Sequence, residues 1–258
     1  MVASLHLAAD PVTSDSAELP FARTLVIAPH PDDESIGVGG LLAHAAQRGA
    51  SVRVVFLTDG ENNPWPQRVT RRRWRITDDD RREWGKTRRC EARHALMALG
   101  VPAHSAVFLG FPDDGLAAVE PRSLARSIGN VLLHFHPTLL VVPSLDDYHP
   151  DHRAACRATM QALGAIEPHD LPMTLSYVVH GRLRAGDRQR IPIGPEERAR
   201  KRDAIGNHAT QLLLSRKRFL QYGERDEQYG VVSEYTLRHE ALLVTCLTKV
   251  KHMLSVLW

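Results

Sequence analysis

Two short stretches place histidines and carboxylates at spacings suited to metal chemistry. They are His30-Pro31-Asp32-Asp33-Glu34 and, near the middle of the chain, Asp147-Tyr148-His149-Pro150-Asp151-His152. A catalytic metal takes about three protein donors and keeps one position open for water. His30 and Asp33, on one tight turn, supply two donors, and His152 supplies a third. This nitrogen–carboxylate–nitrogen set suits Zn²⁺, and Fe²⁺ or Co²⁺ fit the same donors. Asp32 is left beside the ion but not on it, where it can take a proton from a water that the metal acidifies. His149 is placed to stabilise an oxyanion or protonate a leaving amine, and Asp151 to hydrogen-bond a neighbouring imidazole and fix its tautomer. A single His-Asp pair reads as a surface turn or a helix cap, and Asp151 partly caps the helix behind it. Two such motifs at strand ends are harder to dismiss, because burying that many charges without a metal or pairing is costly.

The elements that position these motifs alternate between β-branched runs and amphipathic segments. "RTLVIAP" is strand-like, with a helix through "GGLLAHAAQRG" behind it, and "SVRVVFLTDG" is the next strand. A loop rich in Arg and Trp, residues 61–80, precedes a helix through "RREWGKTRRCEARHALMALG", with Asp78 to Asp80 at its start. "HSAVFLGF" is a third strand, "PRSLARSIGNVLLHFH" a helix, and "PTLLVVPS" a fourth strand, apolar enough to be central and covered on both faces. A helix over 151–163, the strand "MTLSYVVHG", a basic helical stretch from Glu196 to Phe219 and a strand–helix region complete the chain. Alternating β and α elements specify a Rossmann-like three-layer α/β/α fold with a mainly parallel sheet. Sites in such sheets form past the carboxyl ends of the strands, where strand order reverses. "APHPDDE", "LTDGE", "LGFPDDG" and "VPSLDDYHPDH" all fall at predicted strand ends and so share one rim.

Composition sets wider bounds. The 258 residues are 43% hydrophobic and 24% charged, ordinary globular values for one large α/β domain. The formal charge of +3 gives no argument for a nucleic-acid partner. The three cysteines, Cys90, Cys156 and Cys246, form no CxxC pair, which argues against a disulfide framework and for a reduced, cytoplasmic setting. Residues 1–20 read as a polar leader ahead of a single domain over 21–258, and no apolar run reaches the roughly 20 residues needed to span a bilayer. Gly37, Gly39 and Gly40 miss the dinucleotide fingerprint spacing, and "PDDE" would repel a pyrophosphate, so they read as close helix–strand packing.

"PHPDDE" with "HPDH" resembles the PIG-L / LmbE-like family of metal-dependent N-deacetylases. The likeness extends through "LTDGE", "RRCEARHALMALGV", "FLGFPDDGL" and "PTLLVVPSLDDYHPDHRAACRA", roughly residues 23–211. The resemblance implies a zinc ion on His30, Asp33 and His152, Asp32 as general base, His149 on the oxyanion, and hydrolysis of acetamido groups on N-acetylglucosamine-type sugars. The expected partner is then a small molecule or glycoconjugate, phosphorylated or lipid-linked, and an oligomer is compatible with the sequence. Asp113 is a candidate for sugar hydroxyls, and Arg68, with Arg71, Arg72, Arg73 and Arg75, for a phosphate. Trp65 and Trp74 are candidates for stacking on sugar rings. His208 in "HATQ" resembles a family segment that approaches the site. Arg88 and Glu91, three apart on a helix, read as an ordinary surface pair. Leu243, Leu247, Val250, Leu254 and Leu257 recur at helical spacing, as for packing on the sheet. The alternatives are an amidase or deacylase acting on a non-sugar amide, and a non-catalytic sugar-binding module of the same fold.

Overall fold

The computed structural model describes residues 19–184 and 188–233. The polar leader and the apolar C-terminal stretch therefore lie outside the described residues, apart from Leu19 and Pro20. In chain order the elements are β1 (Arg23–Ala28), α1 (Asp33–Gln47), β2 (Ser51–Thr58), α2 (Pro64–Arg71), α3 (Asp78–Ala98), β3 (Ala106–Phe111) and α4 (Pro121–Phe135). They continue with β4 (Leu139–Pro143), α5 (Pro150–Leu163), β5 (Met173–Tyr177), β6 (Arg188–Ile191), α6 (Pro195–Asn207), α7 (Ala209–Leu220) and β7 (Glu227–Val232).

The seven strands form one sheet in the order β3-β2-β1-β4-β5-β7-β6. The first five are mutually parallel, while β7 runs antiparallel to both β5 and β6. The sheet is buried on both faces: along β1, Val26 and Ala28 enter one apolar core while Leu25 and Ile27 enter the other. Helices α1, α3 and α6 cover the first face, and α4 and α5 the second. The chain winds outward from β1 through β2 to β3, then returns to place β4 on the other side of β1. The crevice past the ends of β1 and β4 is therefore the switch point of the sheet, where ligands bind in open α/β folds. Val26 pairs with Val141, so the segments that follow these two strands, one holding His30 and the other leading to His152, emerge side by side.

Several helix ends follow directly from local chemistry. Thr77 and Asp80 form a reciprocal capping box at the start of α3. Proline opens α4 and α5, where its missing N–H costs nothing. The same rule explains a departure from the sequence reading, since the 61–80 segment contains α2. Asn63 accepts from the Trp65 N–H at 3.3 Å and Pro64 occupies the first turn, so the prolines start a helix rather than prevent one. The basic stretch from Glu196 to Phe219 is two helices, α6 and α7, broken at His208. Strand β6, ahead of them, was not expected.

Of the glycines behind the first motif, Gly37 makes the close helix–strand contact read from the sequence, against Tyr177 of β5, whereas Gly39 lies against Lys201 of α6. A Cβ on Gly37 would lie 2.4 Å from the Tyr177 ring, and one on Gly40 would lie 2.4 Å from Ile193. That closeness admits a buried clasp. One Glu227 oxygen accepts from Gly40 N–H at 2.7 Å and Lys201 Nζ at 2.6 Å; the other accepts from Leu41 N–H at 2.9 Å and the Tyr229 hydroxyl at 2.6 Å. The clasp ties β7 and α6 to α1. Removing one partner of a buried ion pair strands the other charge, at a cost of about 3–5 kcal/mol. Glu227→Ala is accordingly expected to lower the urea midpoint steeply, and a loss below about 1 kcal/mol would show that the pair contributes little.

Candidate active site and metal centre

The first motif is held in a conformation that only its hydrogen bonds explain. The chain leaves β1 through His30 and Pro31, and Asp32 then adopts φ 135°, a region that L residues seldom occupy. Three contacts hold the turn. The Asp33 carboxylate accepts from the His30 backbone N–H at 2.9 Å, and the Glu34 carboxylate accepts from the Asp32 N–H at 2.9 Å. Arg88 donates to the carbonyls of Gly60, at 2.7 Å, and of Pro31. Gly60 itself has φ +67°, and a Cβ there would lie 1.9 Å from the Arg88 guanidinium.

Around this turn the second motif brings its histidines in from the N-terminus of α5. One oxygen of Asp33 lies 3.2 Å from His30 Nδ1 and 3.2 Å from His152 Nε2. The donor atoms of His30, Asp33 and His152 all fall within 4.8 Å of one another. In both rings the far nitrogen meets a carboxylate. His30 Nε2 faces Asp113 at 3.2 Å and Asp151 at 3.3 Å, and His152 Nδ1 faces Asp147 at 3.0 Å. Such carboxylate–histidine contacts orient metal-bound imidazoles and raise their basicity.

The residues fit a divalent cation on an observation independent of the motif. His152 Nε2 is buried without a hydrogen-bond partner, because its approach to Asp33 is close but misaligned for a hydrogen bond. A buried nitrogen left in that way costs about 1–3 kcal/mol. The electrostatics agree. Burial opposes ionisation of Asp33, yet the charge of His152, 3.2 Å away, and the hydrogen bond from His30 hold it well below the usual carboxylate range. Burial likewise works against charge on His152, but Asp33 and Asp147 push it up to about 9. Burial also works against His30, and hydrogen bonds to Asp113, Asp151 and Asp33 overcome it and raise it well above the usual histidine value. The carboxylates thus call for positive charge between them, which protons supply here and a cation would displace.

Flanking this cradle are the two residues read as proton carriers. Burial pushes Asp32 up to about 6, against the pull of Arg88, whose guanidinium lies 3.3 Å away. Burial, then repulsion from His30 and His152, lowers His149, which therefore favours the neutral form. Its Nδ1 accepts the Asp151 backbone N–H at 3.2 Å, which caps α5 and leaves Nε2 to carry the ring proton. Burial opposes charge on Asp113 too, but its hydrogen bond with His30 prevails and holds it down to about 2. Asp113 also accepts from Asn62 N–H at 2.7 Å.

These groups open into a cleft of about 400 Å³. His30, Asp32, Asp33, Asp113 and His149 line it, together with Gln211, Arg218, Phe219 and Tyr222 from α7 and the turn after it. Asp151 lies behind His30, with its second oxygen on the Leu116 N–H at 3.0 Å.

Three sequence readings change. Arg88 and Glu91 are not a surface pair, because α6 and α7 cover that side of α3. Arg88 lines the cleft, and Glu91 accepts from the Thr210 N–H and hydroxyl at 2.9 and 2.6 Å. His208, at the α6–α7 break, is buried beneath α1 and bonds Glu34 at 2.9 Å rather than facing the cleft. Arg68 sits between Trp65 and Trp74, its guanidinium carbon 4.9 and 4.5 Å from the ring centres, while Arg71 and Arg73 are engaged by Asp80. The sequence reading gives no role to three residues that the structure places here: Glu34, the partner of the Asp32 backbone; Asp147, the partner of His152; and His180. The His180 ring lies 5.8 Å from that of His149 and 5.5 Å from that of His152. Asp147 and His180 did carry a signal, since both follow strand ends on the site's rim.

Fold and site together define an α/β protein with a buried cluster at the switch point of its sheet, His30, Asp33 and His152, that could hold a metal ion. More particularly, residues 25–163 match the PIG-L family, described as GlcNAc-PI de-N-acetylase, and the chain belongs to that family. A 1D-myo-inositol 2-acetamido-2-deoxy-alpha-D-glucopyranoside deacetylase from Mycobacterium sp. (strain KMS) is 34% identical over 158 residues, 55% of this chain and 50% of that protein. The chain thus spans about half the length of that curated relative. A protein of the same name from Gordonia bronchialis is 31% identical over 199 residues, 66% of this chain and 69% of its own. Among solved structures, a triple mutant of a deacetylase from the teicoplanin biosynthetic pathway aligns with a TM-score of 0.63 at 24% identity, covering 80% of this chain and 96% of that one. The N,N'-diacetylchitobiose deacetylase from Pyrococcus horikoshii gives 0.63 at 20% identity, covering 81% and 83%. Both likenesses bear on the fold, a mainly parallel α/β sandwich.

No helix among the described residues is long and apolar enough to cross a membrane.

Proposed function

We propose that this protein is a metal-dependent hydrolase that removes the acetyl group from an N-acetylated amino sugar of the N-acetylglucosamine type, releasing acetate and the free amine. The observation that carries the reading is the cradle of His30, Asp33 and His152 with Asp32 and His149 beside it in the same cleft. Zn²⁺ fits the donors, as do Fe²⁺ and Co²⁺; once bound, such an ion acidifies water and polarises a carbonyl oxygen. Asp32 accepts the proton of the attacking water, and its burial suits it to hold that proton before passing it on. His149 donates from Nε2 to the oxyanion formed at the acetyl carbon and then to the departing nitrogen. Asp151 holds His30, and Asp147 holds His152, each through the ring nitrogen that does not face Asp33. Asp113 is placed to accept a hydrogen bond from a sugar hydroxyl in the cleft.

The relatives named as deacetylases of acetamido sugars support the substrate class. The test pairs metal analysis of the purified protein with amine release from N-acetylglucosamine derivatives, before and after chelation. One equivalent of metal with chelator-sensitive amine release that returns on adding Zn²⁺ is expected. Stoichiometric metal without amine release from any acetamido sugar would move the activity to another amide.

A further inference from the structure

We infer that Glu34 and His208 are positioning residues for the proposed reaction: they fix the backbone of Asp32 and tie it to the start of α7, one of the elements that line the cleft. The inference rests on the hydrolase reading in taking Asp32 as the base; the tether itself is geometry. Asp32 stands at φ 135° and makes no side-chain hydrogen bond that caps α1. Such a conformation persists only where its surroundings hold it.

Glu34 does the holding. One of its oxygens accepts the Asp32 N–H at 2.9 Å. The other accepts the Ser35 hydroxyl at 2.6 Å and faces His208 Nε2 at 2.9 Å. Glu34 and Ser35 are 0% exposed and His208 1%. Opposite a carboxylate oxygen at that distance, Nε2 carries the ring proton and donates it, while Nδ1 is buried with no partner. Among the described residues the His208 ring bonds only Glu34 and Ser35, so its whole polar reach is spent on the turn that bears Asp32.

A second tether runs beside the first. Two residues after His208, Thr210 donates its N–H and its hydroxyl to Glu91 at 2.9 and 2.6 Å. Glu91 lies one turn along α3 from Arg88, whose guanidinium is 3.3 Å from the Asp32 carboxylate and donates to the Pro31 carbonyl. Asp32 is thus gripped at its N–H through Glu34 and at its carboxylate through Arg88, and both grips lead back to residues 208–210. From there the chain runs straight into the cleft lining. The His208 carbonyl accepts the Gln211 N–H at 2.9 Å, and Gln211, Arg218 and Phe219 of α7 line the cleft. The break between α6 and α7 therefore sets the base and part of the substrate's surroundings from one point. The Glu227–Lys201 pair is a contrasting case: it bonds α1 at Gly40 and Leu41, and neither residue lines the cleft.

The experiment compares His208→Ala, His208→Gln and Lys201→Met in the metal-loaded full chain. The readouts are kcat and KM on a soluble acetamido sugar, metal content, thermal midpoint, and hydrogen exchange of the Asp32 amide by NMR. His208→Ala is expected to lose on the order of 10²-fold in kcat with KM and metal content kept, since misplacing a reacting group by about 1 Å costs that much. Its Asp32 amide should also exchange faster. Glutamine can present an amide N–H where Nε2 stood, so His208→Gln should recover most of both losses. Lys201→Met should lower the thermal midpoint at least as far, with kcat and Asp32 exchange unchanged. If His208→Ala does not fold, the double variant Glu34→Gln with His208→Leu, which leaves no charge unpaired, is expected to show the same loss of kcat. Full kcat in the His208 variants, an equal loss of kcat in Lys201→Met, or metal lost along with turnover would each overturn the positioning role. Failure of the hydrolase reading looks different, because the parent protein then releases no amine. The Asp32 amide in that case decides alone: faster exchange in His208→Ala upholds the tether, and unchanged exchange overturns it.

Discussion

Asp32→Asn is expected to keep its metal and its fold while losing about 10²–10⁴ in kcat, the usual contribution of a positioned general base. The substitution is chosen for the backbone as much as for the side chain. At φ 135° most residues other than glycine are strained, and asparagine tolerates positive φ about as well as aspartate does. Asn also matches Asp in size and keeps one oxygen for the Arg88 guanidinium at 3.3 Å. What it loses is the ability to take up a proton. Asp32→Ala would mix that loss with a backbone change at the entrance to α1, where Glu34 is bonded to the Asp32 N–H. The measurement is kcat and KM on an acetamido sugar, with metal content and thermal midpoint recorded on the same preparations. Full turnover with full metal would remove Asp32 from the reaction and leave the cleft without an assigned base.

The parts of this site legible in the sequence are those that sit within a few residues of each other on a strand end. His30, Asp32 and Asp33 follow β1 directly, His149, Asp151 and His152 follow β4 after a short loop, and the alternation of elements makes a parallel sheet that sets the two side by side. The parts that were not legible depend on partners distant in the chain. Glu34 reads as one more acid in a motif until His208, 174 residues on, is seen bonded to it. Arg88 and Glu91 show the helical spacing of a solvated pair, and only the packing of α6 and α7 over α3 determines that they are buried. Helix α2 was hidden by two prolines whose breaking tendency vanishes at a first turn. In the 61–80 loop, sequence alone could count arginines but not tell which are spent. Asp80 engages Arg71 and Arg73 and Arg68 lies against the two tryptophans, while Arg72 and Arg75 have no ion-pair partner among the described residues.

His152→Ala should abolish stoichiometric metal binding, and Asp147→Asn should weaken it by about 10–100-fold, the range found for carboxylates that orient a ligating histidine. The two variants test different statements. His152 offers the cradle a buried nitrogen that has no other hydrogen-bond partner, so its removal takes away a donor and leaves Asp33 less well compensated. Asp147 touches no donor site itself. One of its oxygens faces His152 Nδ1 at 3.0 Å and accepts the Val179 and His180 backbone N–H groups at 2.8 and 3.0 Å, while the other accepts the His149 N–H at 2.9 Å. Asparagine keeps an oxygen for part of that loop anchoring but removes the charge that makes the imidazole a stronger donor. Metal affinity is read by competition against a chromogenic chelator, with urea unfolding of the metal-free proteins alongside. Weakened affinity at nearly unchanged metal-free stability would mean that Asp147 acts through the orientation and basicity of His152. Unchanged affinity with a lowered unfolding midpoint would make it a loop anchor and nothing more, and unchanged metal content in His152→Ala would remove that histidine from the cradle.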